Sequence, residues 1–248
     1  MTMRSGAQLE FRQALDSLAS AQKTSKGAPA YSRYINRRLG RVFAAAAYTR
    51  GLAPNQVTVI SAIATFSGLA LLILTDPTTG TALLVTTLLV LGYALDSADG
   101  QLARLTGTGS AAGEWLDHTV DAFKEGSLHL CVLICWWRYL DLEAAWLIVP
   151  IVFQVLATVH FFSSLLMDQL RRARRTSGSS APVAEQATSS ALYSLAVLPT
   201  DFGLLCVLFV LLLFPAVFVG AYSLLMLANA AFLVLALPKW YREVKTWS

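Results

Sequence analysis

The chain is 248 residues long, 56% hydrophobic and only 14% charged, whereas a soluble domain carries roughly a quarter of its residues as charged ones. With a mean hydropathy of +0.57, these proportions exclude a water-soluble globule, a disordered chain and a disulfide-knit secreted module, and leave a polytopic membrane protein. Net charge is +4 and the pI about 9.1, so the placement of the basic residues says more than their sum.

Residues 1–28 read as a polar cytoplasmic N-terminal segment of mixed charge, without the basic, apolar, small-residue order of a cleaved leader. Residues 29–50 alternate arginines (Arg33, Arg37, Arg38, Arg41) with Tyr34, Ile35, Leu39, Val42 and Phe43 at helical spacing. That pattern predicts a juxtamembrane amphipathic helix on an anionic lipid surface. A 20-residue apolar window then predicts spans over 54–75, 81–105, 113–140 and 143–170. The stretch 202–238 has no charged residue, and as one helix it would run about 55 Å, nearly twice the hydrocarbon thickness. It is therefore expected to fold back at Pro215 and Gly220, giving helices over 201–219 and 221–241. The fold class is all-α, a six-transmembrane helix bundle over 51–241 behind an interfacial helix, with a short cytoplasmic tail at 242–248. Seventeen of the nineteen basic residues fall on one side of such a bundle, which puts both termini in the cytoplasm of a multi-pass cell-membrane protein. The Ser/Ala/Thr-rich stretch 176–190 reads as a cytoplasmic linker. Cys131, Cys135 and Cys206 lie in apolar segments and read as small hydrophobes. Trp136, Trp137, Trp146, Trp240 and Tyr241 fall near span ends, where aromatic rings anchor at the interface.

The chemistry concentrates in two neighbouring helices. Asp96 and Asp99 are three residues apart, and Gly113, Asp117 and Asp121 follow at successive fourth positions, so each set shares a helical face. The eight-residue connection makes the helices antiparallel neighbours, and all four carboxylates can meet at one point. Four aspartates at membrane depth would cost on the order of 10 kcal/mol. Lys124 and Arg104 offset two of the charges. One or two divalent cations would complete the balance, and hard oxygen ligands favour Mg²⁺ or Mn²⁺. A two-ion site suits displacement at phosphorus. Gly100, Ala103 and Gly113 allow close approach of backbone or a flat ligand, and Arg104 suits a phosphate. His118, His129 and His160 have no ligand spacing, and a packing or interhelical hydrogen-bond role is expected for them. Glu114 and Glu125 sit where they can support the carboxylates from behind.

The string Asp96-x2-Asp99-Gly100-x2-Ala103-Arg104-x8-Gly113-x3-Asp117-x3-Asp121 resembles the signature of the CDP-alcohol phosphotransferase, or phosphatidyltransferase, family. Pro54-Asn55-x-x-Thr58 is similar to the element that opens the first helix in many members. The resemblance implies that Asp96, Asp99, Asp117 and Asp121 coordinate two divalent ions, with Asp121 also the catalytic base. It implies a nucleotide pocket of Asp99, Gly100, Ala103, Arg104 and Gly113. The implied reaction is attack of an acceptor hydroxyl on the β-phosphorus of a CDP-alcohol, releasing CMP, in phospholipid biosynthesis. The implied donor is CDP-diacylglycerol, and the implied assembly a homodimer in membrane lipid with no nucleic-acid partner. Residues 26–37 are similar to the corresponding segment of members that use inositol phosphate. Lys124, Arg171 and Arg172 are then the candidates for binding a small polar or phosphorylated acceptor, such as inositol phosphate or glycerol phosphate. An ion-coupled transporter would need acids spread through the membrane or repeated broken helices. A membrane prenyltransferase would place its two aspartate clusters far apart and lack the Gly-x2-Ala-Arg core.

Overall fold

The computed structural model describes residues 10–20, 28–176 and 191–247. The linker expected over 176–190, apart from Thr176, and most of the N-terminal segment lie outside the described residues. Among the described residues every regular element is helical.

The chain order begins with a helix that the polar composition concealed, α1, Phe11–Ser20. Its apolar residues Phe11, Ala14, Leu15 and Leu18 follow the three-and-four spacing of one helix face. Ala14 and Leu18 are buried in a small cluster with Ala44, Ala45, Val57, Ala98 and Leu102. A π-helical turn, Ser32–Asn36, leads into α2, Arg37–Thr49. Helical structure thus covers Ser32–Thr49 within the segment 29–50, and Gly51 follows it with a φ of +68°. Its small-residue face, Gly40, Ala44 and Ala45, is buried. A Cβ on Gly40 would come 2.7 Å from Ser97 Oγ, so glycine is what lets α2 lie this close to its neighbour.

The next helix, α3, Pro54–Leu74, opens on proline, whose fixed φ and missing N–H suit the first helical position. The following α4, Thr79–Thr106, is capped by Thr78 and ends at Gly107 in the left-handed region, φ +63°. Ser110 Oγ accepts the Gly113 N–H at 3.1 Å to start α5, Ala111–Tyr139. A 3₁₀ turn, Ala144–Leu147, leads into α6, Ile148–Thr176. The last described stretch holds α7, Ala191–Ala196, then α8, Phe202–Leu208, which runs on as a 3₁₀ helix Phe209–Leu213, and finally α9, Pro215–Lys245.

Among the described residues, four helices are long and apolar enough to cross a membrane: Pro54–Leu74, Thr79–Thr106, Ala144–Thr176 and Pro215–Lys245. Two of the six expected spans differ. The α5 helix has the length, about 44 Å, but concentrates Glu114, Asp117, Asp121, Lys124 and Glu125 in its first half. The segment Phe202–Leu213 reaches only about 20 Å. The chain reverses at Phe214-Pro215, with Gly220 inside α9, so the expected turn near Gly220 is displaced toward Pro215. Proline at the first position starts the new helix there, whereas a lone glycine is tolerated within one. The α6 helix continues past the expected end at residue 170, so Arg171, Arg172, Arg174 and Arg175 occupy its last turns.

The main core gathers Leu89, Leu128, Val132, Phe153, Phe209, Phe218 and Tyr222 around Trp136. Trp136 is fully buried, edge-on to Tyr222 at 5.3 Å between ring centroids, and is no interfacial anchor. Trp137, about 100° further round the helix, is 72% exposed. His129 bonds to the Tyr222 hydroxyl at 2.5 Å and His160 stacks on Trp240, which are the interhelical and packing roles expected of them. The three cysteines are free thiols in helices of this region.

For the site the decisive feature is the place of α3. It packs along both α4 and α5, whereas α4 and α5 themselves diverge. They are antiparallel, as the short connection requires, but α3 sits at the seam between them.

Candidate functional site

Because α3 lies at that seam, its polar positions Asn55, Thr58, Ser61 and Thr65, at three- and four-residue spacing, face the two acid-bearing helices. Thr58 donates its hydroxyl hydrogen to Asp99 Oδ2 at 2.5 Å, and the Gly100 N–H donates to Asp99 Oδ1 at 2.5 Å. Asp99 is thereby held, almost wholly buried, against α3. Ser61 donates to the Gly92 carbonyl at 2.8 Å and accepts from Lys124 Nζ at 3.2 Å. Gly92 has no space for a Cβ, which would meet the Thr65 hydroxyl. That close approach of α3 and α4 brings Ser61 within reach.

Lys124, 4% exposed, is the internal counter-charge of the cluster. Its ammonium pairs with Asp96 and lies 3.3 Å from Asp121 Oδ1. The structure thus brings the two helices' acids together across a cation. Asp99 interacts electrostatically with Asp96 and Asp117, and Asp121 with both of the same residues. The tightest grouping is Asp117, His118 and Asp121, whose ligand-capable atoms all lie within 4.8 Å of one another. His118 departs from its expected packing role. Its backbone direction does diverge from Asp117 by a residue's turn, but the long imidazole swings back. Nε2 is buried without a hydrogen-bond partner and stands 3.7 Å from Glu114 Oε1. No signal in the spacing marks it, since ring reach rather than helix register decides.

Two of the four carboxylates, Asp96 and Asp121, share one buried ammonium, and the His118 ring stands beside Asp117 and Asp121. Hard oxygens with an excess of negative charge fit Mg²⁺ or Mn²⁺.

Where α4 and α5 diverge, a cleft of about 630 Å³ opens. All five residues expected to form a nucleotide pocket line it: Asp99, Gly100, Ala103, Arg104 and Gly113, together with Asp117 and His118. Gly100 has no packing reason to be glycine, since a Cβ there would meet only Arg104 Nη1 at 3.5 Å. Its bare face is turned to the cleft. Gly100→Val is accordingly expected to leave the melting temperature within about 2 °C of the parent while weakening CMP binding at least about tenfold by calorimetry. Equal affinity for CMP in the variant would show that the nucleotide does not lie on this floor.

The side chains of Lys124, Arg171 and Arg172 turn to three different sets of partners. Lys124 is inside the carboxylate cluster, and Arg172 lines the cleft, paired with Glu114. Arg171 instead turns to α9, where it forms a two-point pair with Glu243 at 2.8 and 2.7 Å. Glu114 therefore supports the site through Arg172 and His118 rather than through the aspartates. Asp201 caps α8 and accepts the Ser32 N–H at 2.7 Å, tying the turn before α2 to the start of α8.

Asp121 faces away from the cleft. It lines a second hollow of about 330 Å³ between α5, α6, α8 and α9, and His118 borders both spaces.

The sequence profile of the CDP-alcohol phosphatidyltransferase family matches residues 51–237, more than half of the chain and all of α3 through most of α9. Among curated proteins compared with the chain, none matches.

Proposed function

This chain belongs to the CDP-alcohol phosphatidyltransferase family, and on that premise we propose that it is a membrane enzyme moving a phosphatidyl group from CDP-diacylglycerol to the hydroxyl of a small alcohol. The family transfers a phosphoalcohol group from a CDP-alcohol, in phospholipid synthesis. The observation that carries the reading for these residues is the cleft itself. Asp99, Gly100, Ala103, Arg104 and Gly113, drawn from two diverging helices, line one space whose floor is a glycine with no packing role.

In this reading Asp96, Asp99, Asp117 and Asp121 would hold two divalent ions, Mg²⁺ or Mn²⁺. Such ions, when bound, neutralise the pyrophosphate and polarise its phosphorus. The chain's own residues do the rest. Gly100 and Ala103 admit the nucleotide against the backbone, and Arg104 sets its guanidinium beside a phosphate. Thr58 fixes the Asp99 carboxylate through the 2.5 Å hydrogen bond, so that its orientation is set before substrate arrives. Asp121, at the junction with the second hollow, takes the proton of the acceptor hydroxyl as that oxygen bonds to the β-phosphorus. The bond from that phosphorus to the CMP oxygen breaks, CMP leaves, and a phosphodiester remains in the lipid.

The α5 helix is packed between α3 and α6 and is read as crossing the bilayer with them. The ion pairs Arg172–Glu114 and Arg171–Glu243 gather the starting end of α5 and the closing ends of α6 and α9 at one face. The excess of arginine there supports a cytoplasmic site and cytoplasmic termini. The π-helical turn and α2, with Tyr34 and Ile35 of the one and Leu39 and Val42 of the other exposed beside Arg38, are read as resting on that lipid surface.

The test is CMP release by the purified protein from CDP-diacylglycerol with a panel of acceptor alcohols. Release is expected with Mg²⁺ or Mn²⁺, loss in EDTA, and recovery on adding excess metal. No CMP from any CDP-alcohol, with any acceptor and either metal, would overturn the assignment.

A further inference from the structure

The second hollow carries an inference about the acceptor, and it rests on the reading above. We infer that the space between α5, α6, α8 and α9 is the acceptor site, and that it takes a polar alcohol without a phosphate rather than the phosphorylated acceptor suggested by the sequence.

Position comes first. Asp121 belongs to this hollow and not to the nucleotide cleft, while His118 borders both. An alcohol here reaches Asp121 from a space other than the cleft, which is compatible with attacking and leaving oxygens on different sides of the phosphorus. Its volume of about 330 Å³ falls at the small end of ligand pockets, which suits a molecule the size of glycerol or a cyclic hexol.

The lining sets the chemistry. Besides Asp121 it presents Glu125, Asp168 and Asp201, with His129, His160 and Asn229, and among the described residues no lysine or arginine lines it. The nearest base along α5, Lys124, is bound to Asp96 and Asp121. At the mouth Asp168 lies 3.8 Å from Arg171, whose guanidinium is already held by Glu243. A phosphate dianion entering this space meets Glu125, Asp168 and Asp201 with no lysine or arginine in the described lining, so repulsion adds to its desolvation cost. A hydroxyl-rich neutral molecule instead donates to those acids. Glu125 is the clearest acceptor of such a hydrogen bond, since its carboxylate makes no hydrogen bond or ion pair within the described residues. A lipid alcohol fits no better than a phosphate, because burying apolar chain against these polar groups leaves them unsatisfied. Phe153, Phe161 and Phe202 supply walls against which ring or chain carbons pack.

The experiment compares myo-inositol and glycerol with their monophosphates, and with diacylglycerol, as acceptors in metal-dependent CMP release. Calorimetric binding of CMP to the same preparation serves as a separate readout. Inositol or glycerol is expected to exceed its phosphate at least about tenfold in kcat/KM. Glu125→Gln is expected to raise the acceptor KM about tenfold with the donor KM unchanged, which a purely structural loss would not do. Ser164→Arg, which places a guanidinium on the α6 wall of the hollow, is expected to move the preference toward the phosphorylated acceptor. A parent enzyme that prefers a phosphorylated acceptor or diacylglycerol overturns the inference. So does CMP binding with no acceptor of any class consumed. Absence of CMP binding overturns the transferase reading beneath it as well.

Discussion

Asp121→Asn is expected to slow CMP release by at least about a thousandfold while leaving the fold and CMP binding intact. The argument is positional. Asp121 stands where the acid cluster meets the second hollow, interacting with Asp96 and Asp117 on one side and open to an incoming alcohol on the other. Asparagine keeps the shape and can still lie beside Lys124, but it accepts no proton and contributes no charge to a cation. Melting temperature and CMP affinity, measured alongside turnover, separate loss of chemistry from loss of structure. A variant that keeps a tenth of parental turnover would remove Asp121 from the role of base.

The second large effect concerns stability. Lys124→Met is expected to lower the melting temperature in EDTA by about 10 °C, and saturating Mg²⁺ is expected to restore most of the loss. The Lys124 ammonium is shared by Asp96, Asp121 and Ser61, and removing one partner of a buried ion pair costs about 3 to 5 kcal/mol. In a chain of this size each kcal/mol moves the midpoint by roughly 2 to 4 °C. A divalent ion that binds only the folded state supplies the missing charge and recovers stability through linkage. An unchanged midpoint in EDTA would show that Lys124 is not the internal counter-charge. Failure of Mg²⁺ to rescue would show that the same carboxylates do not receive a metal.

These expectations draw on features that were unevenly legible in the sequence. The boundaries of α3, α4 and α5 were readable within two residues because Pro54, Thr78, Gly107 and Ser110 are strong local start and stop signals. The α1 helix is hard to read from sequence because its polar residues outnumber four correctly spaced apolar ones, and only the small-residue cluster of α2, α3 and α4 gives that face something to cover. The reversal at Phe214-Pro215 was mislocated because both Pro215 and Gly220 are punctuation residues, and packing alone distinguishes them. Trp136 and Trp137 are adjacent and identical in composition, yet one is the centre of the core and the other 72% exposed. Only the neighbours of each helix face separate them.

For the site, the sequence by itself determined which acids share a helical face, that they were too costly to be incidental, and that Gly100, Ala103, Arg104 and Gly113 belong with them. Helical periodicity specifies the direction of a side chain around its own axis, and eight positions at strict spacing need nothing more. What only the tertiary structure decided is which groups touch: that α3 stands between α4 and α5, that Thr58 holds Asp99 and Ser61 meets Lys124, that Asp121 opens on a separate hollow from the cleft lined by Gly100 and Arg104, and that Arg171 turns to α9. Those facts depend on the distances between helix axes. Such distances are set by residues like Gly40 and Gly92, which lie far along the chain from the contacts they permit.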